Sequence, residues 1–155
     1  MTDDKFRTIG KHRPRYDGMD KVTGVARYAA DVEIPGMLHA KVLRSPHAHA
    51  RVLNIDTTKA NALPGVCHVA TRNDFEGMQP VYGWLIKDQP VLAIDKVRYV
   101  GDMIAAVAAE DEATAYRALD LIEVEYEPLQ AVPSIEASLA DDTPALFEEP
   151  QIGFV

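Results

Sequence analysis

Three histidines are the residues of this sequence best suited to hold a metal ion. His47 and His49 are two residues apart, so on a β-strand both side chains would lie on one face, and His39 belongs to the strand predicted before them. Imidazole nitrogens are ligands of zinc and copper. No cysteine or acidic residue accompanies them at a ligand spacing, and the alternation equally fits a half-exposed strand. We therefore expect a half-exposed strand face and assign no metal ligand.

A second candidate is a row of carboxylates, Glu123, Glu125 and Glu127, on one face of another predicted strand. Neighbouring carboxylates can share a proton and act as acid and base. No histidine or lysine stands beside them in the sequence to tune such a pair. We expect the solvated face of a strand; the alternative is a surface that receives the basic N-terminal arm described below.

The remaining motifs exclude most catalytic classes. Cys67 is the only cysteine, which rules out a disulfide framework and a cysteine-ligated cluster, and its apolar neighbours predict a small core residue. Gly10-Lys11 lacks the rest of a phosphate-binding loop, and Gly101-Asp102 lacks the other glycines of a dinucleotide-binding turn. We predict no catalytic, cofactor-binding or metal-binding residue in this chain, and we do not expect it to turn over a substrate alone.

Composition limits the partners and the location. The chain has 155 residues, 47% hydrophobic and 26% charged, which is enough for one packed domain. Its formal net charge of -8 argues against nucleic acid or an anionic membrane as the main partner. No run approaches the roughly 18 apolar residues of a membrane-spanning helix, and the first residues lack the apolar core of a secretion signal. We expect a cytoplasmic protein.

Residues 97–129 predict the centre of the fold. Gly101-Asp102 forms a tight turn between an alternating strand and the apolar run 103–109, which does not alternate and is therefore expected to be covered on both faces. Asp111 can cap the helix that follows. One face of that helix carries Ala115, Ala118, Leu119 and Ile122. Residues 122–127 then alternate as a strand with one apolar face.

The rest of the chain supplies shorter elements around that centre. Predicted strands cover residues 38–44, 48–55 and 66–70, Asp56 and Ser134 begin two short helices, and residues 71–86 are irregular. In the second strand, Ala48, Ala50 and Val52 are expected opposite His47, His49 and Arg51. Strands and helices are interspersed with turns of the hairpin kind, which indicates an α+β fold with a mixed sheet and short helices packed on it.

Residues 1–36 form a predicted basic arm, ahead of a domain at 37–140 and a tail at 141–155. The arm concentrates Lys and Arg, while the acidic excess lies in the remainder. Tyr16, Met19, Val22 and Tyr28 would be costly to leave in water. The arm is therefore interpreted as a docking segment, with a solvated tail as the alternative.

Five segments together resemble one family. They are KVTGVARYAADV at residues 21–32, LHAKVLRSPHAHARV at 38–52, ALPGV at 62–66, KVRYVGDMIAAVAAE at 96–110 and IEVEYEPLQAV at 122–132. In this order and spacing they resemble the N-terminal α/β-hammerhead domain of the molybdopterin-containing large subunit of the xanthine dehydrogenase / aldehyde oxidase family. Within that family the molybdenum subunits of xanthine dehydrogenase and 4-hydroxybenzoyl-CoA reductase are the most similar.

The resemblance implies a multi-domain oxidoreductase. Its molybdenum cofactor lies in later domains of the large subunit, and electrons pass to [2Fe-2S] clusters and usually FAD on separate subunits or segments. The reaction is hydroxylation of an aldehyde or N-heterocycle with oxygen from water, or, in one branch, reductive dehydroxylation of 4-hydroxybenzoyl-CoA. The family's cofactor-binding and catalytic motifs lie beyond this chain, so none maps onto its residues.

We accordingly predict a non-catalytic scaffold and interface domain of a molybdenum hydroxylase. Its partners would be the downstream molybdenum-cofactor domains and the iron–sulfur and FAD subunits, with Arg15, Asp17, Lys21 and Arg27 as the contact residues. The alternative is a stand-alone binding or assembly module with the same fold.

Overall fold

The computed structural model describes residues 6–78, 80–84 and 86–147. The chain divides into two compact units, Met1–Met37 and Leu38–Val155. In the first unit, helix α1 (Gly18–Val22) is followed by a single 3₁₀ turn at Ala29–Asp31.

The second unit contains the sheets. Its strands are β1 (His39–Arg44), β2 (Ala50–Asp56), β3 (Val66–Ala70), β4 (Val81–Tyr82), β5 (Gln89–Pro90), β6 (Lys96–Val97), β7 (Met103–Ala109) and β8 (Glu123–Pro128). Its helices are α2 (Thr58–Asn61), α3 (Glu112–Asp120) and α4 (Ile135–Ser138), and a 3₁₀ turn covers Arg72–Phe75.

The described strands pair antiparallel in three sheets, ordered β1-β7-β3, β6-β2-β8 and β4-β5. Short helices lie among them, which confirms the predicted α+β class. The pairs join distant parts of the sequence: His39 is opposite Ala109 at one end of β1-β7, and Arg51 is opposite Glu127 in β2-β8.

Strand β7 is covered on both faces, as its lack of alternation predicts. Ala105, Val107 and Ala109 belong to a core cluster that includes the buried residues of α3. Ile104, with its side chain on the opposite face of the strand, is fully buried in a second cluster with β2 and β6. The strand is thereby the element shared by both parts of the core.

The turn at Gly101-Asp102 is present but is not a hairpin. The Asp102 N–H donates to the Tyr99 carbonyl at 3.2 Å, and Gly101 has φ 92°, a conformation that favours glycine. The strands on either side belong to different sheets, since β6 pairs with β2 and β7 with β1 and β3. The turn thus moves the chain from one sheet to the other.

Helix α3 begins as the sequence predicts. The Asp111 carboxylate accepts the Thr114 N–H at 2.8 Å, and Ala115 and Ala118 are buried. Ile122 is buried too, but it follows the end of the helix. Along β8 the glutamates are exposed and the residues between them are partly buried, which confirms the alternation.

The prediction for residues 47–49 is wrong. Strand β2 begins at Ala50, so the two histidines precede it; Ala48 is exposed and His49 is buried, the reverse of the expected alternation. Backbone hydrogen bonds between this connection and distant segments fix its conformation. The Ser45 N–H donates to the Asp102 carbonyl, and the Leu129 N–H donates to the His49 carbonyl. Tertiary pairing overrides the local pattern.

Cys67 is exposed, contrary to the prediction of a core residue. It lies in β3 where the register with β7 shifts between Val66 and His68. An extra residue at such a bulge leaves the normal alternation. Within the described residues, no helix is long and apolar enough to cross a membrane.

Candidate functional site

Three of the four predicted contact residues meet at one carboxylate in the N-terminal unit. Arg15 donates from Nε and Nη2 to the two oxygens of Asp17, each at 3.0 Å. Lys21, one helical turn beyond Asp17, places Nζ 2.6 Å from Oδ2. Hydrogen bonds from Arg15 and then Lys21 lower the pKa of Asp17. The cluster is therefore a charge-paired group at the start of α1.

Arg27 is not in that cluster. It is exposed and has no ion-pair partner among the described residues. Apolar side chains are interleaved with the cluster: Tyr16 is fully exposed, and Met19 and Val22 are largely exposed. Large apolar groups beside neutralised charges form an amphipathic surface, which suits protein contact more than binding of a polyanion.

The three histidines are separated and have structural contacts. His39 is in the sheet of β7, whereas the His47 ring contacts the Tyr126 ring in a tilted arrangement, with centroids 4.7 Å apart and an interplanar angle of 59°. His49 is 5% exposed, and its Nδ1 donates to the Gln130 carbonyl at 2.7 Å. In the described part of the chain, no group of three or more His, Cys, Asp or Glu side chains is arranged to hold a metal ion.

The glutamates of β8 pair with cations of the same unit. Glu127 accepts from Arg51 at 2.7 Å, and Glu123 pairs with Lys59, whose pKa the Glu123 carboxylate raises. All three glutamate side chains are exposed. These glutamates are on a solvent-exposed strand face, and two of them, Glu123 and Glu127, form surface ion pairs.

Sequence reasoning missed two arginines that hold backbone segments together. Arg72 donates from Nη1 to the carbonyls of Val52 and Ile94, at 2.8 and 2.7 Å, and from Nη2 to Leu53 at 3.1 Å. Arg98 donates from Nε to the Leu146 carbonyl at 3.0 Å, and its guanidinium lies 5.0 Å from the centroid of the Phe147 ring. No spacing rule indicates these roles, because each partner is distant in sequence.

Two cavities adjoin these arginines. One of about 500 Å³ is lined by Arg72, Phe75, Met78, Pro80 and Ile94 among others. Another of about 350 Å³ is lined by Arg98, two tyrosines, Phe147 and the carboxylates Asp88 and Asp102.

Neither cavity suits an anionic pterin cofactor. Arg72 donates to backbone carbonyls, and so does Arg98. Asp102 is already bonded, since its side chain accepts the N–H groups of Arg98 and Met103 at 3.0 Å each. A phosphate-bearing ligand is bound by several N–H donors directed at it, whereas the bonded donors of Arg72 and Arg98 are directed mainly at backbone carbonyls. The residues described here do not fit the molybdenum cofactor of the family.

Comparison with known proteins identifies the class of domain. A family profile described as "Aldehyde oxidase and xanthine dehydrogenase, a/b hammerhead domain" matches residues 23–130. The chain belongs to this family, and the fold described above is its hammerhead domain.

Individual relatives agree with the profile. The chain is 48% identical over 140 residues to a probable xanthine dehydrogenase subunit of Bacillus subtilis (strain 168), covering 90% of this chain and 19% of that one. It is 40% identical over 147 residues to the nicotinate dehydrogenase large molybdopterin subunit of Eubacterium barkeri, covering 95% and 34%.

Solved structures have the same fold. Carbon monoxide dehydrogenase from Oligotropha carboxidovorans superposes with a TM-score of 0.80 at 39% identity, over 87% of this chain and 17% of that one. The chain spans about a fifth of the length of the Bacillus subtilis relative and about a third of the length of the Eubacterium barkeri relative.

Proposed function

We propose that this chain is a non-catalytic scaffold and interface domain of a molybdenum hydroxylase. The observation that carries the proposal is the match of residues 23–130 to the hammerhead domain of this family, in a chain that covers 19% of one relative and 34% of another. Its relatives are named as molybdopterin-containing and xanthine dehydrogenase subunits several times longer. The redox chemistry then belongs to other domains.

The complete enzyme would work in the cytoplasm and contain a molybdenum cofactor, [2Fe-2S] clusters and usually FAD. It would hydroxylate an aldehyde or an N-heterocycle, or reduce 4-hydroxybenzoyl-CoA. This domain would support the cofactor domains and contact the iron–sulfur subunit, with the FAD subunit completing the electron path. Finding pterin, molybdenum or turnover in the purified 155-residue chain would overturn the scaffold role.

The contact with the partner is assigned to Arg15, Asp17, Lys21 and Arg27. Asp17 holds Arg15 and Lys21 in a fixed arrangement beside exposed apolar side chains, so reversing those two charges should repel both Asp17 and any acidic rim on the partner. In the complete enzyme, the double substitution Arg15→Glu and Lys21→Glu should reduce the co-purified iron–sulfur subunit by about tenfold or more.

The matched control makes the same charge change elsewhere. Arg51→Glu with Lys59→Glu reverses two cations that pair with β8, and it should leave assembly within about twofold of the unmodified enzyme. Gel filtration and iron content measure the assembly, and a thermal melt checks folding. Unchanged assembly in the arm variant would discard the contact. If the natural protein consisted of this domain only and purified without partner subunits, the stand-alone binding or assembly module would be favoured instead.

A further inference from the structure

The second unit exposes a tryptophan at the tip of a loop. Trp84 is the only tryptophan of the chain, and it is 99% exposed in the connection between β4 and β5. Tyr82, two residues earlier, is half exposed. A fully exposed tryptophan is unusual, because its ring is the largest apolar group a protein can bury and is enriched where proteins meet.

The backbone of this loop is built around a glycine. Gly83 has φ +150°, and a Cβ at this position would lie 1.8 Å from the Ile86 carbonyl oxygen. Any other residue would therefore have to change the loop. The base of the loop is fixed by the pairing of Val81 with Pro90 and by the Val91 N–H, which donates to the Pro80 carbonyl at 2.7 Å. The pairing of β4 with β5 therefore fixes the base of the loop that carries Trp84.

A second turn and the last described residue extend the apolar area. Tyr82, Tyr99 and Phe147 line the same cavity of about 350 Å³, and Val100 beside Tyr99 is two-thirds exposed. Burial is the first cause of a raised pKa at Tyr99, with the Asp102 carboxylate second. We refer to the cavity residues Tyr82, Tyr99 and Phe147, together with Trp84 and Val100, which lie within two residues of them in the sequence, as the aromatic surface.

Two polar groups beside the aromatic surface, Arg98 and Asp102, already have partners. Arg98 donates to the carbonyls of Lys96 and Leu146, and Asp102 accepts two backbone N–H groups. A ligand that used the bonded donors of Arg98 would have to displace a backbone carbonyl. An apolar protein segment would gain burial of the exposed rings.

The position of Phe147 indicates which protein segment would cover the aromatic surface. Arg98 holds the Leu146 carbonyl at 3.0 Å and the Phe147 ring at 5.0 Å, so the polypeptide reaches residue 147 within the aromatic surface. If the chain is one domain of a large subunit, a domain that follows it is joined to it through the polypeptide after Phe147. Tethering gives it a high effective concentration at this surface compared with any separate protein.

We propose, on the basis of the proposed function, that the aromatic surface is the docking site for the domain that follows this one in the same large subunit. An apolar segment of that domain covers Trp84 and enters the cavity beside Phe147. The surface is thus an intrachain interface, separate from the Arg15, Asp17 and Lys21 contact assigned to a partner subunit.

Hydroxyl-radical footprinting tests this occupant. Oxidation rates of single side chains are measured by mass spectrometry in the 155-residue chain and in the complete large subunit without partner subunits. Trp84 and Tyr99 should be oxidised at least about fivefold more slowly in the complete subunit. Tyr116, half exposed on α3, is the matched control and should change by less than about twofold. Equal Trp84 rates in the two proteins overturn the proposal.

A variant supplies an independent measurement in the complete subunit. Trp84→Lys should speed proteolysis between residues 140 and 155 by about tenfold or more, because the docked domain detaches, whereas Tyr116→Lys should not. Protection of Trp84 that appears only when the iron–sulfur subunit is added also overturns the proposal. If either of these results overturns the docking proposal while the enzyme still assembles normally, the proposed scaffold function stands. Molybdenum or turnover in the 155-residue chain would reject the scaffold function itself.

Discussion

Asp111 has a role that its place in the sequence indicates and the structure supports. Its carboxylate accepts the Thr114 N–H at 2.8 Å and the Thr114 hydroxyl at 2.6 Å, and these bonds from Thr114 lower its pKa below the ordinary value of 3.8. Because the folded state prefers the ionised carboxylate, its stabilising effect is present above the unfolded pKa. The effect is lost as the pH falls through the folded pKa.

Asp111→Ala should therefore lower the melting temperature of the chain at pH 7 by roughly 2–4 °C, since it removes the cap of α3. The difference from the unmodified chain should narrow as the pH falls below about 4. Differential scanning calorimetry between pH 3 and pH 8 measures both effects. Asp120→Ala, at the other end of the same helix, is the control and should not lower the melting temperature. A gap that stays constant with pH would contradict the role of the ionised carboxylate.

Single residues also show where sequence reasoning ends. The cap at Asp111 depends on neighbours three residues away, so a local rule finds it. Cys67 and His49 depend on strand register and on bonds to residues far along the chain, and for both the predicted burial is wrong. Arg72 and Arg98 hold distant backbone carbonyls and have no sequence signature at all. The predicted contact residues Arg15, Asp17 and Lys21 do meet, because Asp17 lies just before α1, with Lys21 one turn into the helix and Arg15 two residues earlier.

At the scale of elements, α3 and β7 pack through small residues. Ala115 and Ala118 are fully buried in the same cluster as Ala105 and Ala109, which lets the helix approach the sheet closely. The alternation of β8, the cap of α3 and the buried Ala115 and Ala118 were predictable, since each depends on a short window, whereas the alternation at residues 47–49 was not. The position of β7 between β1 and β3 was not, because those pairings join residues up to 70 positions apart, as His39 and Ala109 are.

Ala118→Leu should destabilise the chain by about 1–3 kcal/mol, because the added methyl groups have no room between α3 and the sheet. Ala113→Leu is matched in chemistry and lies on the exposed side of the same helix, so it should be close to neutral. Urea unfolding with both variants measures the midpoint and the slope. If the Ala118→Leu variant were as stable as the Ala113→Leu variant, the helix would not pack closely on β7.

At the scale of the whole molecule, the chain combines two packed core clusters with exposed large apolar side chains. Strand β7 contributes buried residues to both core clusters. Large apolar side chains such as Tyr16, Met19 and Trp84 are exposed. That combination is typical of a domain whose surfaces are completed by other polypeptide. The family match and the relatives' greater length agree with it.

Arg98 controls how the chain leaves this core, and its loss should free the segment after α4. Arg98→Gln removes the bond to the Leu146 carbonyl and the contact with the Phe147 ring, while most of the core, which lies elsewhere, is unaffected. Because local opening precedes cleavage, limited proteolysis between residues 140 and 147 should accelerate by about tenfold, with only a small fall in melting temperature. Arg51→Gln also removes an arginine, but one that pairs with β8, so it should leave this cleavage unchanged. If the two variants were cut at the same rate, the segment would be held by contacts other than those of Arg98.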